Sequence, residues 1–195
     1  MNIPYPVARC LGYVAETAAA NLGVAMAIAL ADGEGCPQYF LRMEGALPAS
    51  TDLAMSKAYT AAALRMTTEE LGRLALPGGP LYGIQHTHGG RIILFGGGIP
   101  LRLQDRVAGA IGISGGTVEE DVRVAEAAEA AWKEMGELAA CMRPLLAARQ
   151  RNSQSLTRVE AQLWEALQQD TGKGRLPADF LSLLVGSLIL ATRER

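Results

Sequence analysis

The first part of the chain has an apolar helical stripe followed by two apolar segments of strand length. From Pro6 to Gly23 the apolar residues recur every three or four positions, which predicts a helix that opens at the proline and ends at the glycine. The continuous apolar run 24–31 and the segment 38–43 are separated by a stretch that begins with an Asp-Gly turn. This arrangement predicts a β-hairpin.

Two further helices are predicted before the chain becomes rich in glycine. Ser50 or Thr51 can cap an alanine-rich helix that runs to Arg65, because a hydroxyl there accepts a hydrogen bond from an amide of the first turn. Thr67 or Thr68 can start a short helix in the same way. The sequence Leu-Pro-Gly-Gly-Pro then ends the helical pattern.

Residues 81–114 change to a composition of glycine, isoleucine and leucine, with glycine pairs and triplets between the apolar stretches. This punctuation predicts three short strands, which with the hairpin make a sheet of five. Thr117 and Glu120 then form a capping-box pattern at the start of a helix. From Val118 to Met142 the apolar residues alternate steps of three and four, which predicts a long amphipathic helix.

The order of these elements predicts an α+β domain, a five-stranded and mostly antiparallel sheet with helices packed on it. Residues 149–155, RQRNSQS, form a polar stretch that marks a boundary. Residues 156–169 and 178–192 each have a helical pattern. We therefore expect one domain over residues 1–148 and a C-terminal helical extension over residues 149–195.

Composition and charge limit the classes of partner. The chain has 195 residues, 18 of them basic and 20 acidic, with no clustered basic stripe, which argues against nucleic-acid binding. The apolar run 180–191 contains two serines and a glycine and is too short to cross a bilayer, so no membrane span is expected. The three cysteines lack disulfide or zinc-site spacing and the N-terminus lacks a secretory pattern, so a cytoplasmic location is expected.

His86 and His88 are the only histidines of the chain, and a single threonine separates them. Residues two apart on a strand share a face, so both imidazoles would point into the same space. Such a pair can bind a metal or haem iron, or supply an acid and a base near neutral pH. A solvent-exposed hairpin end beside Gly89 and Gly90 explains the pattern equally well.

Lys57 and Arg42 are the candidate cationic groups. Lys57 lies among alanines of the predicted second helix, where partial loss of solvent would lower the pKa of its amine and make it a base or an anion anchor. A surface lysine that extends its amine into water explains the same pattern. Arg42, at the end of the second strand, can hold a carboxylate through its planar guanidinium or form an ordinary surface ion pair.

Glycine-rich segments are the remaining candidates for a ligand site. Gly97, Gly98 and the following Ile99 belong to the run GGGIP, where backbone amides can approach a ligand closely. A bulge or a sharp corner of the sheet is the alternative explanation of this run. Neither GGGIP nor SGGT at residues 114–117 has the spacing of a P-loop or a dinucleotide site. Helix capping explains the acidic residues 119–121 that follow.

Five short segments occur in order within residues 7–142, namely VAMAIALADGEG, RMEGA, SKAYTA, FGGGIPL and GAIGISGGTVEED. In this order they resemble the GlcG/HbpS-like family, a haem-binding-domain family that also forms the C-terminal domain of PduO-type adenosyltransferases. The resemblance implies a compact layered domain, assembly into homo-oligomers and a pocket for a small molecule or cofactor near the glycine loops. Its known members include haem-binding sensors, a corrinoid-associated domain and hydroxylaminobenzoate lyases.

The first function that the resemblance implies is a carbon–nitrogen lyase without a cofactor. Such an enzyme would act on a small aromatic hydroxylamine, release ammonia and leave a dihydroxybenzoate. Proton transfer and charge stabilisation would fall to histidine, lysine and backbone amides. The catalytic candidates are His86, His88 and Lys57. The substrate-binding candidates are Arg42, Gly97, Gly98 and Ile99.

The alternative function is a haem-binding or haem-sensing module that is not an enzyme. In this hypothesis His86 or His88 would be an axial ligand of the iron inside an apolar pocket. Few aromatic residues are available to flank a macrocycle, since the chain has three Phe, two Trp and five Tyr. A non-catalytic oligomeric partner of another enzyme is a third possibility.

Overall fold

The computed structural model describes residues 2–151, with burial described through residue 136. Its helices are α1 (Tyr5–Leu22), α2 (Pro48–Leu64), α3 (Thr68–Leu74) and α4 (Val118–Arg151). Its strands are β1 (Ala27–Asp32), β2 (Pro37–Arg42), β3 (Gly98–Leu103) and β4 (Arg106–Ser114). The chain divides into two compact units, residues 1–133 and 134–195, and the described strands belong to the first. The boundary expected at residue 149 stays a prediction, because most of the C-terminal extension lies outside the described residues.

The strands form one antiparallel sheet in the order β2-β1-β4-β3. β1 and β2 are the predicted hairpin, and β4 pairs with the other side of β1, so that Ile28 lies between Leu41 and Ile113. β3 and β4 form a second hairpin at the opposite edge. The predicted α+β class and antiparallel sheet are confirmed, but within residues 2–151 the sheet has four strands and not five.

The segment between α3 and β3 accounts for this difference. It folds into two short 3-10 turns, Ile84–His86 and His88–Gly90, instead of the predicted strand. The three residues of the second turn have φ angles of 51°, 65° and 81°, a left-handed run that an extended strand does not accommodate. The prediction that His86 and His88 share one face of a strand is therefore wrong.

Small residues allow α2 to lie close against one face of the sheet. Alternate residues of β1 are alanines that pack on Ala54 and Ala58 of α2. On β4, Gly112 comes so near to the helix that a Cβ atom there would lie 2.1 Å from the carbonyl oxygen of Ala54. A layer of alanine and glycine therefore places the backbone of α2 almost directly on the backbone of the sheet.

The opposite face of the sheet has the larger side chains. The buried residues that alternate with the small ones on β1 and β4 are Ile28, Leu30, Ile111 and Ile113. α1 packs on this side, because the ring of Tyr39, which pairs with Leu30, occupies the space that Gly12 of α1 leaves open. Burial of these branched side chains provides the main hydrophobic core.

The helix ends follow the predicted chemistry with one exception. α1 ends at Gly23 in the left-handed conformation, and α3 begins with the Thr67 hydroxyl accepting from a backbone amide. The capping box of α4 forms, since the side chains of Thr117 and Glu120 each accept from the other's amide. α2 begins at Pro48 and not at the predicted hydroxyl cap, because proline has the φ angle of a first helical residue and no amide to satisfy.

Candidate functional site

Lys57 is fully buried on α2 and pairs with a carboxylate from the start of α4. Its Nζ donates to Oδ2 of Asp121 at 2.6 Å and to the carbonyl oxygen of Ile113 at 2.8 Å. The same Nζ lies 4.7 Å from the centre of the Phe95 ring. Oδ1 of Asp121 accepts from the amide of Gly116 at 3.1 Å. These contacts join α2, the end of β4 and the start of α4.

Burial favours the neutral form of each partner in this ion pair. It lowers the pKa of Lys57 and raises the pKa of Asp121, while the attraction between the two groups opposes both shifts. The ammonium has two oxygen acceptors, an aromatic face and no exposed surface, so a substrate has no access to it. This geometry supports a structural role for Lys57.

The triple-glycine corner lies against the same ion pair. A Cβ atom on Gly97 would lie 2.8 Å from Nζ of Lys57, and one on Gly98 would lie 2.7 Å from the lysine's carbonyl oxygen. The amide of Gly98 donates to the Thr68 hydroxyl at 3.0 Å, and Ile99 is buried at the start of β3. The glycines thus allow close approach to Lys57, which fits the interpretation of this run as a corner of the sheet.

Arg42 and His86 lie at two other places. Arg42 is exposed at the end of the edge strand β2, and its guanidinium donates to the carbonyl oxygen of Ala46. His86 is exposed in the first 3-10 turn, where its Nε2 lies 3.4 Å from the side-chain nitrogen of Gln85. No contact within the described residues joins either side chain to Lys57.

His88 belongs to a group of residues built around Tyr59 of α2. The Tyr59 hydroxyl lies 3.1 Å from Nδ1 of His88, and the two ring centres are 6.0 Å apart. The guanidinium carbon of Arg91 lies 3.9 Å from the centre of the Tyr59 ring. Gly35, in the β1–β2 turn, packs so closely that a Cβ atom there would lie 2.8 Å from Cδ2 of that ring. We call Gly35, Tyr59, His88 and Arg91 the Tyr59 cluster.

The backbone and a neighbouring threonine place His88 next to Tyr59. The φ angle of His88 is 51°, a conformation uncommon outside glycine but tolerated by histidine better than by most residues. Thr60, the next residue of α2, has its hydroxyl oxygen 3.3 Å from the carbonyl oxygen of Arg91 and accepts from the amide of Ile93 at 3.1 Å. The loop that contains His88 is therefore attached to α2 by main-chain and side-chain contacts.

The two groups of residues lie on different sides of α2. Lys57 and Tyr59 are two positions apart, and side chains at that spacing project about 200° apart around a helix. The predicted site residues therefore lie in two separate places. Gly97 and Gly98 lie beside Lys57, and His88 lies beside Tyr59. The sequence interpretation missed Tyr59, Arg91 and Asp121, and it assigned the last of these to helix capping.

Residues 2–151 contain neither a metal-binding cluster nor a membrane-spanning helix. No group of three or more His, Cys, Asp or Glu side chains there could hold a metal ion. No helix in residues 2–151 is long and apolar enough to span a membrane, and the apolar run 180–191 lies outside those residues. The expectations about nucleic acid, cytoplasmic location and homo-oligomers stay predictions.

Comparison with known proteins finds relatives of this chain. Residues 3–130 match the family model described as haem degrading protein HbpS-like. A 15.0 kDa protein of Citrobacter freundii is 39% identical over 127 residues, which cover 65% of this chain and 89% of that protein. The corrinoid adenosyltransferase PduO of the same organism is 37% identical over 131 residues, which cover 67% of this chain and 39% of PduO. The crystal structure of a PduOC–haem complex has a TM-score of 0.65 at 35% identity, covering 67% of this chain and 95% of that one.

These relatives confirm the predicted family and contradict the predicted enzyme class. Two of them are named for corrinoid adenosyl transfer and for a haem complex, and the matching family model is named for haem degradation. The expectation of a carbon–nitrogen lyase acting on an aromatic hydroxylamine is therefore wrong. The geometry gives a physical reason, because Lys57 is enclosed in an ion pair and Arg42 is bonded to a main-chain carbonyl elsewhere.

Proposed function

The chain belongs to the HbpS-like family, and we propose that it is a haem-binding protein in which His88 would hold the iron. The observation that carries this proposal is the contact between the Tyr59 hydroxyl and Nδ1 of His88. A histidine that binds a metal through one ring nitrogen usually has a hydrogen-bond partner at the other. Nδ1 of His88 has such a partner and Nε2 is left for the iron, so the residues fit the group.

Each residue of the Tyr59 cluster has a part in this proposal. If Nε2 of His88 held the iron, the imidazole proton would be on Nδ1 and would be donated to the oxygen of Tyr59, which would fix the ring and raise its basicity. When bound, haem would supply an iron centre for redox chemistry or for binding small ligands. Leu76 and Tyr82, in the same segment between α3 and β3, are 60% and 66% exposed, and we expect them to provide apolar surface for a macrocycle.

His86 provides a natural control, because it is the same residue type in the same segment. Its described ring contact is with the side chain of the adjacent Gln85, which does not tie the ring to α2. Both histidines are exposed, so replacing either one leaves the core intact. A difference in haem binding between the two replacements therefore shows which of the two imidazoles holds the iron, and Tyr59→Phe then measures the contribution of the Tyr59 contact.

The experiment is a hemin titration of the wild-type, His86→Asn and His88→Asn proteins. Asparagine accepts the left-handed backbone of residue 88, so the loop keeps its conformation while it loses the imidazole. We expect a stoichiometric Soret shift for the wild type and His86→Asn, and at least about tenfold weaker binding for His88→Asn. Tyr59→Phe keeps the ring but removes the hydroxyl, and we expect it to weaken binding by about tenfold as well.

Three results would contradict the proposal. An unchanged Soret shift in His88→Asn would show that this residue is not the ligand. A loss confined to His86→Asn would assign the iron to the other histidine. A wild-type protein that does not bind hemin would reject haem binding altogether. Circular dichroism of each variant checks that the fold is retained.

A further inference from the structure

Arg91 stands beside the proposed iron ligand and forms no ion pair within the described residues. Its guanidinium carbon is 3.9 Å from the centre of the Tyr59 ring, and the ring centre of His88 is 6.0 Å from the same point. The guanidinium and the imidazole therefore lie no farther apart than these two distances together. This upper limit keeps the guanidinium near any macrocycle that His88 would hold.

The position of Arg91 is fixed at both its backbone and its side chain. The amide of Arg91 donates to the carbonyl oxygen of His88 at 3.3 Å, and its own carbonyl oxygen lies 3.3 Å from the hydroxyl oxygen of Thr60. The guanidinium carbon lies over the Tyr59 ring, and within the described residues the side-chain N–H groups of Arg91 form no hydrogen bond, so they are available to bind a planar acid. An arginine fixed in this way is prepared for a carboxylate before any ligand arrives.

The charge of the surrounding segment favours an anionic ligand. Residues 71–104 contain no aspartate or glutamate, although the whole chain has 20 acidic residues. The same segment contains Arg73, Arg91 and Arg102 and both histidines. Arg73 pairs with Glu69, but none of the ion pairs among the described residues involves Arg91, so its charge is available for a partner from outside the chain.

We propose that Arg91 selects a tetrapyrrole that has carboxylate side chains over a corrinoid, whose ring side chains are amides. This inference rests on the proposed haem function and specifies the class of ligand for the same site. A guanidinium binds a carboxylate through two parallel, charge-assisted hydrogen bonds, whereas an amide has neither the charge nor the second acceptor. The distinction matters because the relatives of this chain include both a corrinoid enzyme and a haem complex.

The experiment compares three ligands on the wild-type and Arg91→Gln proteins: hemin, hemin dimethyl ester and hydroxocobalamin. The ester keeps the iron and the macrocycle but has no carboxylate. We expect Arg91→Gln to weaken hemin binding by about tenfold, the effect of losing one charged hydrogen-bonded pair at a partly exposed site. We expect the same variant to bind the ester as the wild type does, and we expect the wild type to prefer hemin over hydroxocobalamin.

Two further variants separate charge from structure. Arg106→Gln removes the same charge at the exposed start of β4, and we expect its hemin affinity to match that of the wild type. Arg91→Lys keeps a positive charge but lacks the planar pair of N–H donors of the guanidinium. We expect its affinity for hemin to lie between the affinities of the wild type and Arg91→Gln. Melting temperatures of all variants show whether the fold is unchanged.

The results that overturn this inference differ from those that overturn the proposed function. Equal losses for hemin and its dimethyl ester in Arg91→Gln would show that Arg91 supports the loop and does not bind the acid. Equal wild-type affinities for hemin and hydroxocobalamin would show that there is no selection. In both cases haem binding through His88 would still stand, whereas a wild type that fails to bind hemin would reject the proposed function itself.

Discussion

Asp121→Asn tests how much the buried ion pair stabilises the fold. The side chains of Lys57 and Asp121 are 0% and 4% exposed, and the carboxylate accepts from both the ammonium and the amide of Gly116. An asparagine amide has a single oxygen, so one of these donors loses its acceptor and the ammonium loses its counter-charge. Removing one partner of a buried ion pair costs about 3–5 kcal/mol, and because one hydrogen bond survives we expect about 3 kcal/mol.

Urea unfolding followed by the fluorescence of Trp132 measures this loss. The indole N–H of Trp132 donates to the carbonyl oxygen of Arg102 at 2.7 Å, so its emission reports on the contact between α4 and β3. A Trp164→Phe background removes the second tryptophan of the chain. A loss of about 3 kcal/mol corresponds to a melting temperature about 10 °C lower for a domain of this size. Asp105→Asn, in an exposed turn, makes the same change of charge and is expected to stay within about 0.5 kcal/mol of the wild type.

A second substitution identifies the source of the loss. Lys57→Met in the Asp121→Asn protein removes the unpaired ammonium, and we expect it to restore at least about 1 kcal/mol. If Asp121→Asn costs no more than Asp105→Asn, the ion pair does not stabilise the fold. If Lys57→Met makes the double variant less stable than Asp121→Asn alone, an unpaired ammonium is not the cause of the loss.

Gly112→Ala tests the close packing of α2 on the sheet. The new Cβ atom would lie 2.1 Å from the carbonyl oxygen of Ala54, so we expect urea unfolding to show about 3 kcal/mol of destabilisation. The control is Gly136→Ala, which has open space around its Cβ atom and is expected to be neutral or stabilising. Burial lowers the pKa of Lys57 below its ordinary 10.5, and loss of Asp121 lowers that pKa further. In the Asp121→Asn protein the folded chain therefore loses the lysine proton at a lower pH than the unfolded chain does, so its stability rises with pH below 10.5. The stability penalty of Asp121→Asn should therefore shrink between pH 7 and pH 9, and a penalty that grows over this range would contradict the assignment.

Much of the fold could be predicted from local sequence because the responsible contacts are local. The helix that ends at Gly23, the β1–β2 hairpin and the capping box of Thr117 and Glu120 each depend on residues a few positions apart. The segment before β3 could not be predicted in this way. Its isoleucines and glycines have the composition of a strand, but contacts with Thr60 and Tyr59, some thirty positions earlier, hold it in turns.

The candidate site was predictable only in part, because its side-chain pairings join residues that are far apart in the sequence. The alanine-rich surroundings of Lys57 allowed either a desolvated amine or a surface lysine, and the structure shows that the amine is buried. Its partner Asp121 lies 64 positions away and has a sequence context that is typical of helix capping. Tyr59 is separated from His88 by 29 positions, and no local pattern points from one to the other. Pairings over such distances depend on how α2 lies against the sheet.

The alanine and glycine layer between α2 and the sheet has a consequence for motion. Neither residue type has a side-chain rotamer to lose, so assembling this layer costs almost no side-chain entropy. Because these residues have no side-chain rotamers to adjust, α2 cannot shift and repack in a new position. Its displaced backbone would collide with the backbone of β4. We therefore expect α2 and the sheet to move as one rigid unit, and we expect Tyr59 to keep its position relative to the sheet when a ligand binds.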